Sequence, residues 1–518
     1  MLHPQNDFLC LPYDILQDIF WWVVISSIGQ APKSYCPGSR NQLLVLSHVS
    51  RFWRQAAIGR ADLWAEVLDP RDPSSSLFNL IYLRTRHAPL KLRVKLKHRK
   101  ESDESPLINN RQWDEMLSNV HRMSVIAFQF KWGDDVGPIL RALEEQGAPL
   151  LKALDLKCSS VFNCPMKLVP KRPIQAERLR ALHLEECIVS PGVLDLQSVE
   201  TFSLQRRGPS SAEVSTWWDA CFSGRMLSLR QLSIGYVRSF QASNDRTLGN
   251  TFSAPPNLLL LDLTAAIGPC VRLLERTPEL PESCNVNIAC IAFPEEFSGV
   301  DEVDNMARSL VSLLSRLWNS TSGATSHLEL RISDFGCYLT HHSTLGRTIR
   351  LALQFEEGDA TFLKQLLHYL SSNDYCPTPA RKEAWLRLSV HIMNRHFAHE
   401  LHAAFVGFLA KSRFGMQVSK LCLCRYTLGM PLEEDDESWE DMNLFKVNPE
   451  VEGVVLPSLK HLRYSDTVLK DPGLLRDFCH FKEARTRLQC PIEIVGTIKK
   501  RSSVLLRKLL SNGGVSTR

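Results

Sequence analysis

The stretch "LKALDL", Leu151–Leu156, sets apolar side chains at its first, fourth and sixth positions. The stretch "LRALHL", Leu179–Leu184, does the same. Leu154 and Leu156 alternate with Asp155, the two-residue period of a strand with one buried face. Looser copies start at Val120 ("VHRMSV"), Val199 ("VETFSL"), Leu229 ("LRQLSI") and Leu258 ("LLLLDL"). The steps between starts are 31, 28, 20, 30 and 29 residues. Self-similarity at such a period marks an array in which each unit adds one strand and one return segment. Proline and leucine precede several strands, as in "GAPLLKAL" and "APPNLLLL".

Beyond Leu263 the regular step fails, but strand-like and helix-like segments still alternate. "MARSLVSLLSRLW", "ATFLKQLLHYL", "HELHAAFVGFLA" and "DPGLLRDFCHFKEA" read as helices; "SHLELRIS", "WLRLSVHI", "SKLCLCRY" and "LPSLKHLRY" read as strands. Such alternation implies parallel pairing with crossovers. Two architectures accommodate it: a curved solenoid, or a compact α/β domain whose buried strands read L-x-L. The motif spacing resembles leucine-rich repeats of 20–29 residues. The Asn or Cys expected later in each such repeat is found only at Cys187. In a solenoid, the residues between and after the leucines would line the concave face. These are Asp155, Lys157, His183, Glu185, Ser203, Gln205, Ser233 and Asp262. Their mixed charge suits a protein surface without identifying one.

Near the amino terminus, "LPYDILQDIFWWVVI" (Leu11–Ile25) is the first apolar run. Residues 1–10 hold no Lys or Arg, and Asp14 and Asp18 interrupt the run. Its uncharged part is about ten residues, where a membrane span needs about twenty. Neither a secretion leader nor a span is expected. Ile15, Leu16, Ile19, Phe20, Val23 and Val24 fall on one stripe of a helix. Pro12 suits the helix start and Asp14 its positive end. So apolar a helix needs cover from its own chain or another. Further on, Leu46, Val49, Trp53 and Ala56 or Ala57 mark a second stripe, Gly59 a turn, and Leu63, Trp64 and Val67 a third patch. Three short helices are expected.

These residues resemble an F-box: Leu11-Pro12, Ile15-Leu16, Ile19-Phe20, then "LSHVSRFWRQAA", then Leu63-Trp64. Val49, Ser50, Trp53 and Arg54 follow the family order, with Ser50 where many members carry Cys. The connection "ISSIGQAPKSYCPGSRN" is longer than usual, similar to F-box-like proteins of basidiomycete fungi. The resemblance implies a Skp-type adaptor as partner, and through it a cullin-RING (SCF-type) ubiquitin ligase. The adaptor-binding residues would be Leu11, Pro12, Ile15, Ile19, Leu46, Val49, Trp53 and Trp64. Of these, Val49, Trp53 and Trp64 are expected to serve the module's own core first. If the Trp53 ring is buried, Trp53→Ala should cost about 3–5 kcal/mol.

The expected fold is therefore α+β. A three-helix F-box-like module (residues 8–69) precedes an irregular α/β leucine-rich-repeat-like solenoid (residues 77–497), regular to about residue 265. A basic C-terminal helix or tail (residues 498–518) follows. The net charge of +5 on 518 residues predicts no nucleic-acid footprint. Fifteen cysteines without a C-x-x-C pair fit free thiols in an intracellular, cytoplasmic or nuclear, compartment.

Chemical motifs are sparse. His391, His396, His399 and His402 cluster, but His399-Glu400-Leu401-His402 is one residue short of H-E-x-x-H. Cys422 and Cys424 share a strand without a second pair at metal spacing. The run "LEEDDESWED" (432–441) reads as a solvated loop. The clusters "KHRK" from Lys97 and "KKRSS" from Lys499 are short, and Asn319-Ser320-Thr321 is a lone sequon. No catalytic residue, metal or cofactor is expected. The leading expectation is a non-catalytic substrate receptor of a ligase; the alternatives are a scaffold without ligase role and a metal hydrolase at the histidine cluster.

Overall fold

The computed structural model describes residues 11–29, 37–72, 74–95, 110–131, 136–159, 166–206, 212–237, 253–291, 300–319, 325–333, 336–343, 346–354, 361–371, 384–392, 401, 404–410, 418–428, 456, 458–464, 485–486 and 493–495. The chain divides into two compact units, Met1–Arg230 and Gln231–Arg518.

The first unit opens with helices α1 (Tyr13–Gly29), α2 (Pro37–Val49), α3 (Arg51–Gly59), α4 (Ala61–Val67) and α5 (Ser75–Thr85). The Leu16 N–H donates to the Pro12 carbonyl at 3.0 Å, so Pro12 closes the first turn of α1 from outside. Leu16, Phe20 and Val24, at i, i+4 and i+8, are fully buried. The expected middle helix is two. Ser50 breaks it with an extended backbone, and its hydroxyl accepts the Trp53 N–H at 3.1 Å, capping α3. Ser50→Ala is expected to cost about 1 kcal/mol, read as a lower urea midpoint for the first unit. Trp64 is fully buried; its indole N–H donates to the Ala57 carbonyl at 2.8 Å, and Arg84 lies 4.3 Å over its ring. Two expectations need correction. Val49, placed in the core from sequence, ends α2 beside the Ser50 break and is 56% exposed. Trp53 is only half-buried, its ring 5.3 Å from Phe20, so its truncation removes less than a full core ring.

Next come β1 (Leu90–Lys95), α6 (Asn110–Leu117), β2 (Met123–Lys131), α7 (Gly137–Gln146), β3 (Ala153–Ser159), β4 (Met166–Leu168), β5 (Ala181–Glu185), β6 (Cys187–Val189), β7 (Thr201–Gln205) and α8 (Ala212–Phe222). Strands β1, β2, β3, β5 and β7 pair in that order, all parallel; β4 and β6 form a separate parallel pair. Glu66 of α4 ties the helices to the sheet through Lys91 and Arg93 of β1, the latter at 3.2 Å.

One turn recurs ahead of the strands. Leu151, Leu179, Val199 and Leu229 each donate their N–H to the carbonyl three residues back, at 3.0 to 3.2 Å. The next residue then bonds to the preceding turn: Lys152 to Ser124, Arg180 to Lys152, Glu200 to Arg180 and Arg230 to Glu200. The leading apolar residue of each motif is fully buried. This is the physical content of the first leucine. It plugs the corner where the return segment becomes strand, so the backbone there must pair within the stack.

The second unit holds β8 (Gln231–Val237), β9 (Leu260–Ala266), α9 (Ile267–Glu275), β10 (Asn285–Ile291), α10 (Val300–Asn319), β11 (Thr325–Ser333), β12 (Gly336–Ser343), β13 (Thr348–Gln354), α11 (Thr361–Ser371), β14 (Ala384–Ile392), β15 (Val418–Leu428), β16 (His461–Tyr464) and β17 (Glu493–Val495). The same turn reappears at Leu258, Cys284 and Leu459. Cys284 and Leu459 lie beyond the point where the sequence period was lost.

Purely parallel pairing, however, does not hold. The order is β8-β9-β10-β13-β12-β11-β14-β15-β16-β17, and β12 is antiparallel to both neighbours. From β10 the chain crosses through α10 to β11, three places further on, and the meander β11–β12–β13 runs back to fill the two slots between. Gly336 sits in this meander because an added Cβ would fall 2.4 Å from the Leu353 carbonyl oxygen. Each unit is thus mixed α/β around a mostly parallel sheet.

Among the described residues no helix is long and apolar enough to cross a membrane. The expected C-terminal tail, the acidic run and both basic clusters lie outside the described residues.

Candidate binding surfaces

Helix α1 carries two apolar rows. Leu16, Phe20 and Val24 face the module's core; Ile15, Ile19 and Trp22 face outward, at 45%, 38% and 69% exposure. The sequence merged both rows into one wide stripe. Leu11 and Pro12, just ahead of the helix, are also exposed. Tyr13 links this row to a second exposed group. Its hydroxyl donates to the Gln55 carbonyl at 3.1 Å, and its ring meets Phe52 edge-on at 6.0 Å. Phe52, Val45 and Val49 are exposed on α2 and α3.

The expected adaptor residues therefore separate. Leu11, Pro12, Ile15, Ile19 and Val49 are exposed, Leu46 and Trp53 are half-buried, and Trp64 is inside. Trp22, Val45 and Phe52 were not singled out. Trp22 was detectable as the i+7 continuation of Ile15 and Ile19; Val45 and Phe52 needed the break at Ser50 to be known. Beside the row, Arg60 lies 5.5 Å over the Trp21 ring and pairs with Asp62 at 2.9 Å and Asp18 at 3.5 Å. Burial raises the Asp62 carboxyl, but the Arg60 bonds outweigh it and hold the group below its ordinary range.

The second surface is the sheet face of the first unit. Leu154, Leu156, Leu182, Leu184, Phe202 and Leu204 point into the core. The alternate residues stand on the other side in two rows. Asp155 is in register with His183, and His183 with Ser203; Lys157 is in register with Glu185, and Glu185 with Gln205. All six are half-buried or exposed. The structure thus brings these six candidates together. Lys157 and Glu185 are ion-paired, so part of the row's charge is spent within the face. Further along, Gln129 donates to the Ser159 hydroxyl at 3.1 Å. Ser233 and Asp262 are register partners in the second unit. Burial raises the Asp262 carboxyl and the Ser233 hydrogen bond opposes it, leaving the group above its ordinary value.

No group of three or more His, Cys, Asp or Glu among the described residues is placed to hold a metal ion. His396, His399 and His402 lie outside the described residues; His391 is in β14. Cys422 is half-exposed on β15. Buried thiols elsewhere are poor nucleophiles: burial pushes Cys337 up to about 12 and Cys284 up to about 11.

No family model, curated protein or solved structure matches the chain.

Proposed function

We propose that the chain is a non-catalytic substrate receptor of an SCF-type ubiquitin ligase. In this reading the N-terminal helices form an F-box-like module that docks a Skp-type adaptor. The recurrent turn-and-strand units form a leucine-rich-repeat-like solenoid whose open face holds a protein substrate. The observation that carries the reading is the outward row of α1: Ile15, Ile19 and Trp22 stay exposed although Leu16, Phe20 and Val24 on the same helix are fully buried. An outward apolar row on a small helical module is suited to a partner helix. Fully burying one such side chain contributes about 1.5–3 kcal/mol. Holding a substrate near the transferring enzyme would supply proximity rather than chemistry.

The recurrent corner at Leu151, Leu179, Val199 and Leu229 supports the solenoid reading, and the two rows from Asp155 to Gln205 supply its contact surface.

The test is co-purification of the full chain with a Skp-type adaptor. The double variant Leu11→Asp, Ile15→Asp is expected to melt like the parent, since both side chains are exposed. It is expected to lose adaptor binding by roughly tenfold or more, because a carboxylate would be buried without a partner. Unchanged binding, or none by the parent chain, would overturn the reading in favour of a scaffold without ligase role.

A further inference from the structure

The open sheet face of the second unit differs in chemistry from that of the first. Its central row runs Asp262, Asn287, Arg350, Thr340, Glu329, Arg387, Cys422 and Arg463, each in register with the next. A neighbouring row runs Thr348, His342, His327, Trp385, Lys420 and His461. On the other side Arg331 is in register with Tyr338 and with Ser389. From β11 to β16, Arg331, Arg350, Arg387, Lys420 and Arg463 line this face, and among the described residues of these strands Glu329 is the carboxylate set between them. Arg331 pairs with Glu329 at 2.7 Å, and Arg387 approaches the same oxygen at 3.7 Å. Glu329 is thus shared by two guanidiniums.

Two large aromatic side chains stand on this face. Trp385 is 49% and Tyr338 43% exposed. Lys420 lies 4.8 Å over the Trp385 ring, and His327 meets that ring edge-on at 6.3 Å while stacking on His342 at 5.4 Å. Lys420 and His327 thus bracket the Trp385 ring. Tyr338 and Trp385 flank β11 from opposite sides, in register with Arg331 and His327. Strand spacings of about 4.8 Å and a rise of about 3.3 Å per residue put them roughly 16 Å apart, a span that about five extended residues cover.

We propose that this face binds an acidic segment of a partner protein, its carboxylates on Arg331, Arg387 and Arg350 and its apolar side chains on Trp385 and Tyr338. Among the described residues of this face, guanidiniums outnumber carboxylates, which supplies the charge complementarity, and arginine forks match carboxylates in pairs. Aromatic platforms and cations also suit single-stranded nucleic acid. Glu329 at the centre argues against that occupant: it would face a continuous phosphate chain, whereas a peptide can set a neutral residue there. The proposal holds whether or not α1 docks an adaptor.

The test uses the intact chain and a fluorescently labelled peptide alternating Glu and Phe. Its counterpart alternates Gln and Phe, and a third probe is an oligothymidylate. Anisotropy is expected to show binding of the Glu peptide, weakened as salt rises. Replacement of Glu by Gln, or Arg387→Glu in the protein, is expected to weaken it roughly tenfold. Trp385→Ala should weaken the Glu and Gln peptides alike. Equal binding of the two peptides, indifference to Arg387→Glu, tighter binding of the oligothymidylate, or no binding of the Glu peptide would each overturn the proposal. Circular dichroism of both variants guards against misfolding; Arg350→Glu, on a different strand, provides a second charge reversal.

Discussion

Replacing Trp64 by alanine is expected to destabilise the helical part of the first unit by about 3–5 kcal/mol. Trp64 is fully buried, and the substitution removes three things at once: ring volume, the indole hydrogen bond to Ala57, and the surface on which Arg84 rests. The Ala57 carbonyl would lose the indole donor but keep the Arg60 N–H at 3.3 Å, so the cavity carries most of the cost. Helices this short lean on such packing, since isolated helices below about 12–15 residues are marginal in water. Amide hydrogen exchange should show α3 and α4 losing protection by two or more orders of magnitude, a factor of ten being about 1.4 kcal/mol. Trp22→Ala is the matched control. Trp22 is 69% exposed, so exchange should barely change. Equal destabilisation by the two substitutions would contradict the packing described for α1 and α4.

Acidification from pH 7 to pH 5 is expected to cost the second unit about 2 kcal/mol through His341 alone. This histidine sits on β12 with its ring buried. Burial first, then the neighbouring His342 and Arg347, hold the imidazole neutral and push its pKa down to about 4. In the unfolded chain the group titrates near pH 6.5. Between those values the unfolded state binds a proton that the folded state does not. Stability therefore falls as pH drops through that window and is unaffected above it. At pH 5 the difference is about 1.5 pH units at about 1.36 kcal/mol each. Urea titrations at pH 7 and pH 5 measure the loss. His341→Leu fits between its register partners Ile349 and Leu328, and is expected to remove this part of the acid sensitivity. A variant as acid-sensitive as the parent would show that other groups carry the effect.

The strands led by Leu151, Leu179, Val199, Leu229 and Leu258 were legible because their corners demand a buried apolar residue at a fixed offset. The motif read from Val120 lies three residues early: Ile126, not Met123, is in register with Leu154. The corner's demand persists at Cys284 and Leu459, but there the flanking steps vary and the period dissolves. Strand β12 was illegible for a different reason. Its inward side chains are Cys337, Leu339, His341 and Ser343, of which two are polar, so a hydrophobicity pattern has little to grip. In α1 the helix was plain from its spacing, yet which edge of the wide stripe would be covered depended on how α2 and α3 break at Ser50. On the candidate surface, alternation alone placed Asp155, His183 and Ser203 on one face. The Lys157–Glu185 pair depends on the register between β3 and β5, which tertiary packing decides. The cationic face of the second unit escaped notice because its arginines are scattered over strands distant in sequence.

The doubled-back meander of β11, β12 and β13 has a consequence for editing the chain. In an ordinary stack any unit can be excised and the ends rejoined, because each strand touches only its sequence neighbours. Here two successive crossovers overlap, and the strand laid down first is seated furthest out. A chain cut after Ser333 would leave two vacant slots beside β10, so residues 285–392 must be kept or removed as one block.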